Sequence, residues 1–136
     1  MFSRTAMAKG IDNTPSHEIM QNVMHCAGEM ERVRELLNNH SIHVDSWYRC
    51  FDLNRAVGGS SKSAHTQGWA VDFVCPSFGT PREVCLKLAS TNLEFDQLIC
   101  EGRWVHLSFA LALRRQVLTA LFKLGKPVTY VEGITA

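Results

Sequence analysis

The sequence predicts a single α+β domain over residues 1–136, built on a mainly antiparallel sheet with flanking helices. Helix-type and strand-type hydrophobic patterns occur in separate runs instead of strict alternation, which favours this class over a parallel sheet. A chain of 136 residues fits one domain and leaves little room for a second. Its 46% hydrophobic and 20% charged residues are ordinary for a globular protein, so it is neither disordered nor membrane-embedded.

Net charge and hydropathy indicate which classes of binding partner the sequence favours. The formal net charge is +1, so no strong basic field indicates nucleic acid, and we expect no nucleic-acid partner. No apolar run approaches the roughly 18–20 residues of a membrane span, so we expect no stable membrane association, and we expect a monomer. Residues 1–10 lack the apolar core of a secretory signal, which predicts synthesis in a cytoplasm. Five cysteines without CxxC spacing predict reduced thiols.

Two helices are predicted. The first runs from about Pro15 to Leu37, with Thr14 as its cap and proline in its first turn. Its apolar stripe recurs at three or four residues and comprises Ile19, Val23, Ala27, Met30, Val33 and Leu37. The second helix runs to about Ser90 and opens at residues 80–83, whose sequence TPRE has capping-box spacing.

Strands are predicted between and after these helices. They are about Ile42–Tyr48, Trp69–Val74, Phe95–Cys100 and Trp104–Phe109. The tail segments Gln116–Phe122 and Val128–Val131 could add another strand or cover the core. The polar stretch Arg49–Gly68 could be a flexible linker, but twenty irregular residues inside a compact domain more often carry a binding site.

Two titratable residues interrupt apolar strands. Asp72 shares a strand face with Ala70 and Val74, and His106 lies in a second apolar strand. A carboxylate there is costly to bury without a partner. Together with His65, at the mouth of the first strand, they would give zinc three ligands and an open position. Spacing alone leaves open that the histidine is a satisfied core or surface residue, and that the aspartate is paired with an arginine.

Several motifs together resemble a known family. Residues 63–72, SAHTQGWAVD, match every fixed position of the SxHxxGxAxD motif of the zinc D-Ala-D-Ala carboxypeptidase family, which is grouped with lysostaphin-type enzymes and the hedgehog domain. Residues 104–108, WVHLS, are similar to its second histidine motif. Residues 46–60 resemble the SGYR and LNxAVGGS segments of short phage and bacterial members. The resemblance runs from about Ile11 to Ser108 and implies a zinc site on one face of a hedgehog-like sheet.

The resemblance also implies roles for individual residues. It carries His65, Asp72 and His106 over as the Zn²⁺ ligands, with Gly68 allowing the backbone to turn between loop and strand. A glutamate shortly before the second histidine then serves as general base and acid. Glu101 is the candidate, although it stands five positions before His106 where relatives use three or six.

An odd offset would place two residues on opposite faces of one continuous strand. Gly102 must therefore break the strand and redirect Glu101 toward the metal, and Asp96 is the substitute base. Glu101 could also be a solvated hairpin carboxylate. Arg49 is the candidate to bind a substrate carboxylate through its planar guanidinium, with a surface ion pair as the alternative. Ser63 could position substrate or the His65 loop.

The resemblance implies a zinc metallopeptidase that hydrolyses peptidoglycan stem peptides, at terminal D-Ala-D-Ala or at an internal L-Ala-D-Glu bond. A bare domain without a signal peptide is similar to a phage or prophage lysis enzyme, an endolysin made in the host cytoplasm and released to act on the cell wall. Two alternatives from other classes stay open. They are a non-catalytic zinc-containing cell-wall-binding module, as the hedgehog relative illustrates, and a structural component of a virion.

Overall fold

A computed structural model describes residues 1–135 and confirms the α+β class, with helices flanking a six-stranded sheet. The helices are α1 Arg4–Lys9, α2 His17–Leu36, α3 Phe51–Ala56 and α4 Pro81–Ala89, and a 3₁₀-helix spans Ala64–Gln67. The strands are β1 His43–Ser46, β2 Ala70–Val74, β3 Gln97–Cys100, β4 Val105–Ser108, β5 Gln116–Leu121 and β6 Thr129–Glu132. Within residues 1–135, no helix has the length and apolar character needed to cross a membrane.

The sheet has the strand order β1-β2-β4-β3-β5-β6. Among the described strands, β3 and β5 form a parallel pair, and the other neighbours are antiparallel. The prediction of a mainly antiparallel sheet is therefore confirmed. The tail, which could have been one strand or a cover, supplies two strands at one edge.

One face of the sheet forms the hydrophobic core. Alternate residues of the central strands point to this face, where α2 and α4 cover them. The fully buried sheet residues there are Val71, Phe73, Leu98, Val105 and Leu107. The helices contribute Cys26, Met30, Val33, Val84, Cys85 and Leu88. The strand parity predicted from the sequence is confirmed, since Asp72 and His106 are left on the opposite face.

The start of α2 differs from the prediction. Its cap is Ser16, whose hydroxyl accepts a hydrogen bond from the Ile19 amide at 3.2 Å. Thr14 lies before the helix instead, where its amide donates to Asp12 Oδ1 at 3.0 Å. A serine two residues later offers an equally good cap, and local turn chemistry decides between them. The buried stripe also uses Cys26 where Ala27 was predicted.

The stretch predicted as irregular contains a short helix, α3. Six residues are too few to show helical periodicity, and its cap is the Cys50 sulfur, which accepts from the Leu53 amide at 3.5 Å. Asn54 in this helix is buried, and its side-chain amide donates to the Ser60 carbonyl at 2.8 Å. This bond ties the glycine- and serine-rich loop back to the helix, so the loop is held in place.

Candidate metal centre and cleft

Two of the predicted ligands face each other across neighbouring strands. Asp72 of β2 stands directly opposite His106 of β4 in the antiparallel register. Residues directly opposite in a ladder share one face of the sheet. His106 also stands opposite Ile99 of β3, so this row continues across the sheet. The face that carries these side chains is the one turned away from the core.

His65 reaches the same place from the 3₁₀-helix. Ser63 caps this helix, and its hydroxyl accepts from the His65 amide at 3.3 Å. Gly68 ends it in the left-handed region at φ 77°, and a Cβ there would lie 2.8 Å from Val23 Cγ2 of α2. Glycine is therefore required for both the turn and the close approach to α2. The predicted role of Gly68 is confirmed.

The three side chains converge on one carboxylate oxygen. His65 Nε2 lies 3.1 Å and His106 Nδ1 lies 2.9 Å from Asp72 Oδ1. One ligand atom from each residue lies within 4.8 Å of the others. The two imidazole rings are 5.1 Å apart between centroids, at an interplanar angle of 67°. Such a group could hold a metal ion.

The hydrogen bonding of His65 tests this fit. Its Nδ1 lies 2.5 Å from the Trp47 carbonyl oxygen, so Nδ1 carries the proton and Nε2 presents a lone pair. His65 is 1% exposed, and among residues 1–135 its Nε2 has no hydrogen-bond partner. The 3.1 Å contact with Asp72 Oδ1 thus joins two acceptor atoms, which a cation between them would stabilise. Two imidazoles and one carboxylate are a suitable donor set for catalytic zinc.

Asp72 is held in its ionised form. Burial alone would raise the pKa of its carboxyl. The hydrogen bond with His106 Nδ1, at 2.9 Å, outweighs burial and holds that pKa below its ordinary value. The carboxylate is therefore charged and available to a cation over the physiological pH range.

Glu101 lies on the same face as His106. The β3–β4 hairpin pairs Ile99 with His106, and the Glu101 amide donates to the Trp104 carbonyl at 3.0 Å. Because Glu101 is two residues beyond Ile99, it shares the face of Ile99 and of His106. Gly102 does end the strand, with φ 81°, as expected. Glu101 therefore faces the metal cluster as expected, because the turn at Gly102 puts the two residues on different strands, where an odd offset gives the same face.

The environment of Glu101 is partly apolar. Burial raises the pKa of its carboxyl above the ordinary value, while His106 opposes that shift and the charge of Asp72 adds to it. A partly buried carboxyl with a raised pKa beside the three-residue cluster has the features of a proton-transfer group.

Asp96, the substitute candidate, is occupied by an ion pair. Its side chain is buried, and Arg114 Nε and Nη2 each donate to one of its oxygens at 2.9 Å. The backbone amide of Arg114 adds a third bond at 3.1 Å. Hydrogen bonds from Arg114 hold the pKa of Asp96 below its ordinary value. An open cleft lies over the three-residue cluster, and both candidate carboxylates border it. Asp96, however, is engaged there in the ion pair with Arg114.

Arg49 lies at the other side of the cleft, where its amide donates to the His65 carbonyl at 3.1 Å. Burial lowers the pKa of its guanidinium, and the nearby charge of Asp72 opposes that shift. Its Nε is buried and, in the described part of the chain, has no hydrogen-bond acceptor. The guanidinium of Arg49 therefore borders the cleft as a cationic group.

Asn13 is a positioning residue that the sequence did not reveal. It is 5% exposed, and its side chain accepts from the Cys50 amide at 2.8 Å and donates to the Tyr48 carbonyl at 3.1 Å. These bonds fix the backbone on both sides of Arg49. No local pattern distinguishes Asn13 from a surface asparagine, because its partners lie 35 and 37 residues away.

These side chains share an open cleft of about 810 Å³. Its walls include the loop of residues 57–67 on one side and parts of β5 and β6 on the other. Arg49, Ser63, His65, Asp72, Glu101 and His106, which the sequence singled out, all border it. The arrangement combines a possible metal site, a partly buried carboxyl and a guanidinium in one cleft.

Comparison with known proteins agrees with this description of the site. No curated protein sequence matches the chain. Residues 1–108 match the model of the family described as Peptidase M15, whose members are zinc-dependent metallopeptidases. The matched range contains all three residues of the cluster, together with Glu101 and Arg49. Since the match covers well over half of the chain, the protein belongs to the Peptidase M15 family, that of the zinc D-Ala-D-Ala carboxypeptidases, and is a hydrolase.

Proposed function

We propose that the protein is a zinc peptidase that hydrolyses the stem peptides of peptidoglycan. The observation that carries the proposal is the buried lone pair of His65 Nε2, which faces Asp72 Oδ1 at 3.1 Å beside His106. Family membership supplies the reaction class, because Peptidase M15 enzymes cleave peptides with zinc.

In this proposal, His65, Asp72 and His106 hold one zinc ion. Zinc, when bound there, acts as a Lewis acid that polarises the scissile carbonyl and acidifies water. The residues around it keep the ligands in their binding forms. The Trp47 carbonyl fixes the His65 tautomer in which Nε2 presents its lone pair.

Glu101 is the proposed general base and acid. It takes a proton from the attacking water and returns one to the departing amine. Three features support this role: its position on the face of His106, its partly buried carboxyl and its raised pKa. The ion pair of Asp96 with Arg114 makes Asp96 the weaker candidate, because a proton-accepting role would require breaking that pair.

Arg49 is the proposed contact for a substrate carboxylate. Its guanidinium borders the cleft as a cationic group, on the side where the His65 loop lies. Stem peptides present carboxylates at the terminal D-Ala and at D-Glu, so Arg49 suits cleavage at either D-Ala-D-Ala or L-Ala-D-Glu. Ser63 positions the His65 loop through its bond to the His65 amide.

We further propose a bacteriophage or prophage setting, in which the enzyme is a monomeric endolysin made in the host cytoplasm. It acts on the cell wall after release. The resemblance of residues 46–60 to short phage and bacterial members supports this setting. The net charge of +1 gives no support for a nucleic-acid partner.

The test is digestion of purified muropeptides that carry pentapeptide stems, with products weighed by mass spectrometry. A carboxypeptidase removes one terminal alanine, whereas an endopeptidase separates L-Ala from the remainder of the stem. A chelator should abolish either cleavage, and added zinc should restore it. Uncut muropeptides with fully zinc-loaded protein would instead indicate a non-catalytic binding module, and co-purification with particles would indicate a virion component.

A further inference from the structure

The β5–β6 hairpin lies beyond the family match, which ends at residue 108, yet it forms one wall of the cleft. Leu118, Phe122, Val128 and Tyr130 of this segment border the cleft together with Glu101 and His106. The Phe122 ring lies against Gly102, 3.7 Å from the position that a Cβ would take there. The hairpin therefore packs directly on the turn that follows Glu101.

The strand register places Tyr130 on the same face as the metal cluster. A row of paired residues crosses the sheet from the cluster to β6. It runs from His106 of β4 to Ile99 of β3, then to Leu118 of β5 and finally to Glu132 of β6. This row defines the face. Two residues along β6, Tyr130 stands opposite Ala120 and so points to that same face.

Tyr130 lies at the same level along the sheet as Glu101, two residues away from the row of His106. The parallel register of β3 and β5 pairs Cys100 with Thr119, so the next positions along these strands are Glu101 and Ala120. Tyr130 is therefore two strands from Glu101, roughly 10 Å between backbones. The methyl side chain of Ala120, between them, leaves room for the longer Tyr130 and Glu101 side chains to lean toward each other.

The phenol is protonated and accessible. Burial raises the pKa of Tyr130 above its ordinary value, and the negative charges of Glu101 and Asp72 add to the shift. Tyr130 is 51% exposed, so a ligand in the cleft can reach its hydroxyl. A hydroxyl that stays protonated beside two carboxylates is a hydrogen-bond donor to an oxygen that gains negative charge.

We infer that Tyr130 is a catalytic residue whose hydroxyl donates a hydrogen bond to the oxygen of the scissile carbonyl as negative charge develops there. This inference rests on the proposed peptidase function. The reacting peptide group must lie within reach of Glu101 and of the three-residue cluster, and Tyr130 flanks that position from the opposite wall. The segment beyond residue 108 thus completes the site.

The test compares Tyr130→Phe with the parent and with Thr129→Val on zinc-loaded protein, using muropeptides with pentapeptide stems. Tyr130→Phe keeps the ring and removes the donor, so kcat should fall about 10²-fold, the lower end for loss of one such donor, with KM and zinc content unchanged. Thr129→Val removes a hydroxyl from the neighbouring position, which points to the other face, and should match the parent.

A parent-like kcat for Tyr130→Phe, or a change in KM alone, overturns the inference while the peptidase function stands. If the parent cuts no muropeptide, the proposed function and this inference fall together.

Discussion

The two faces of the sheet are built from the same strands, but one packs in the hydrophobic core and the other carries the titratable residues of the cleft. On the core face, Val71, Phe73 and Leu107 are fully buried and apolar. On the cleft face, the alternate residues Asp72 and His106 are partly exposed and titratable. A strand with period-2 alternation can therefore contribute to stability through one set of side chains and to chemistry through the other.

Because the two sets of side chains are distinct, mutation should be able to change stability and metal-dependent activity separately. A substitution on the core face removes buried apolar area and should lower the free energy of unfolding. A substitution on the cleft face should change metal binding or rate while the fold persists.

The largest effect is expected from His106→Ala on the cleft face. Loss of one of three ligands should abolish both zinc binding and peptidase activity, because two remaining ligands hold zinc poorly. Elemental analysis of the purified variant checks this, with His43→Ala on exposed strand β1 as the control that keeps its zinc. Full zinc occupancy in His106→Ala would show that the third ligand is another residue.

Glu101→Gln comes next, because it keeps the size of the side chain but cannot accept a proton. The rate of muropeptide cleavage should fall about 10²–10⁴-fold while zinc stays bound. Asp96→Asn is the matched comparison and should affect stability more than rate, since Asp96 pairs with Arg114. The opposite pattern, with Glu101→Gln active and Asp96→Asn inactive, would make Asp96 the base.

On the core face, Leu107→Ala should lower the free energy of unfolding by about 2–5 kcal/mol, since it leaves a cavity at a fully buried position. Urea denaturation of the metal-free protein measures this. The folded fraction should bind zinc as the parent does, although Leu107 is the immediate neighbour of His106. Zinc loss from a protein that remains folded would break the separation between the two faces.

The smallest effect is expected from Arg49→Lys, at the rim of the cleft. Lysine keeps the charge but loses the planar fork, so KM should rise about tenfold, the loss of roughly one hydrogen bond to a charged group. Steady-state kinetics on muropeptides measures it. Arg55→Lys is the control, because Arg55 is exposed and pairs with Asp52 on the same helix. Equal KM values for the parent and Arg49→Lys would remove Arg49 from substrate binding.

Local patterns in the sequence were sufficient to predict the faces of the two central strands and the start of α4. Alternation alone put Asp72 and His106 on the face away from the core, and the TPRE capping box located the start of α4, where Thr80 and Glu83 exchange hydrogen bonds. The resemblance added His65, which spacing could not decide. These features depend on residues close together in the chain, so the sequence displays them directly.

The rest depends on contacts between distant residues. The parallel pairing of β5 with β3 joins segments about twenty residues apart, and no local pattern specifies a partner strand. Tyr130 reaches the cleft through such a pairing, and Asn13 fixes the backbone beside Arg49 through long-range hydrogen bonds. The position of Glu101 also depends on such a pairing, because the turn at Gly102 and the register of β3 with β4 bring it to the face of His106.

That turn has a consequence for length variation in this hairpin. Opposite residues in β3 and β4 have one odd and one even number, because an even count of four residues, 101–104, connects the two strands. The length of this connection therefore decides which face each residue of β4 occupies. Inserting a single residue there would exchange inward and outward side chains along one arm, whereas inserting two would preserve them. Evolutionary drift or protein engineering at this tip is thus confined to even steps, unless a bulge absorbs the extra residue.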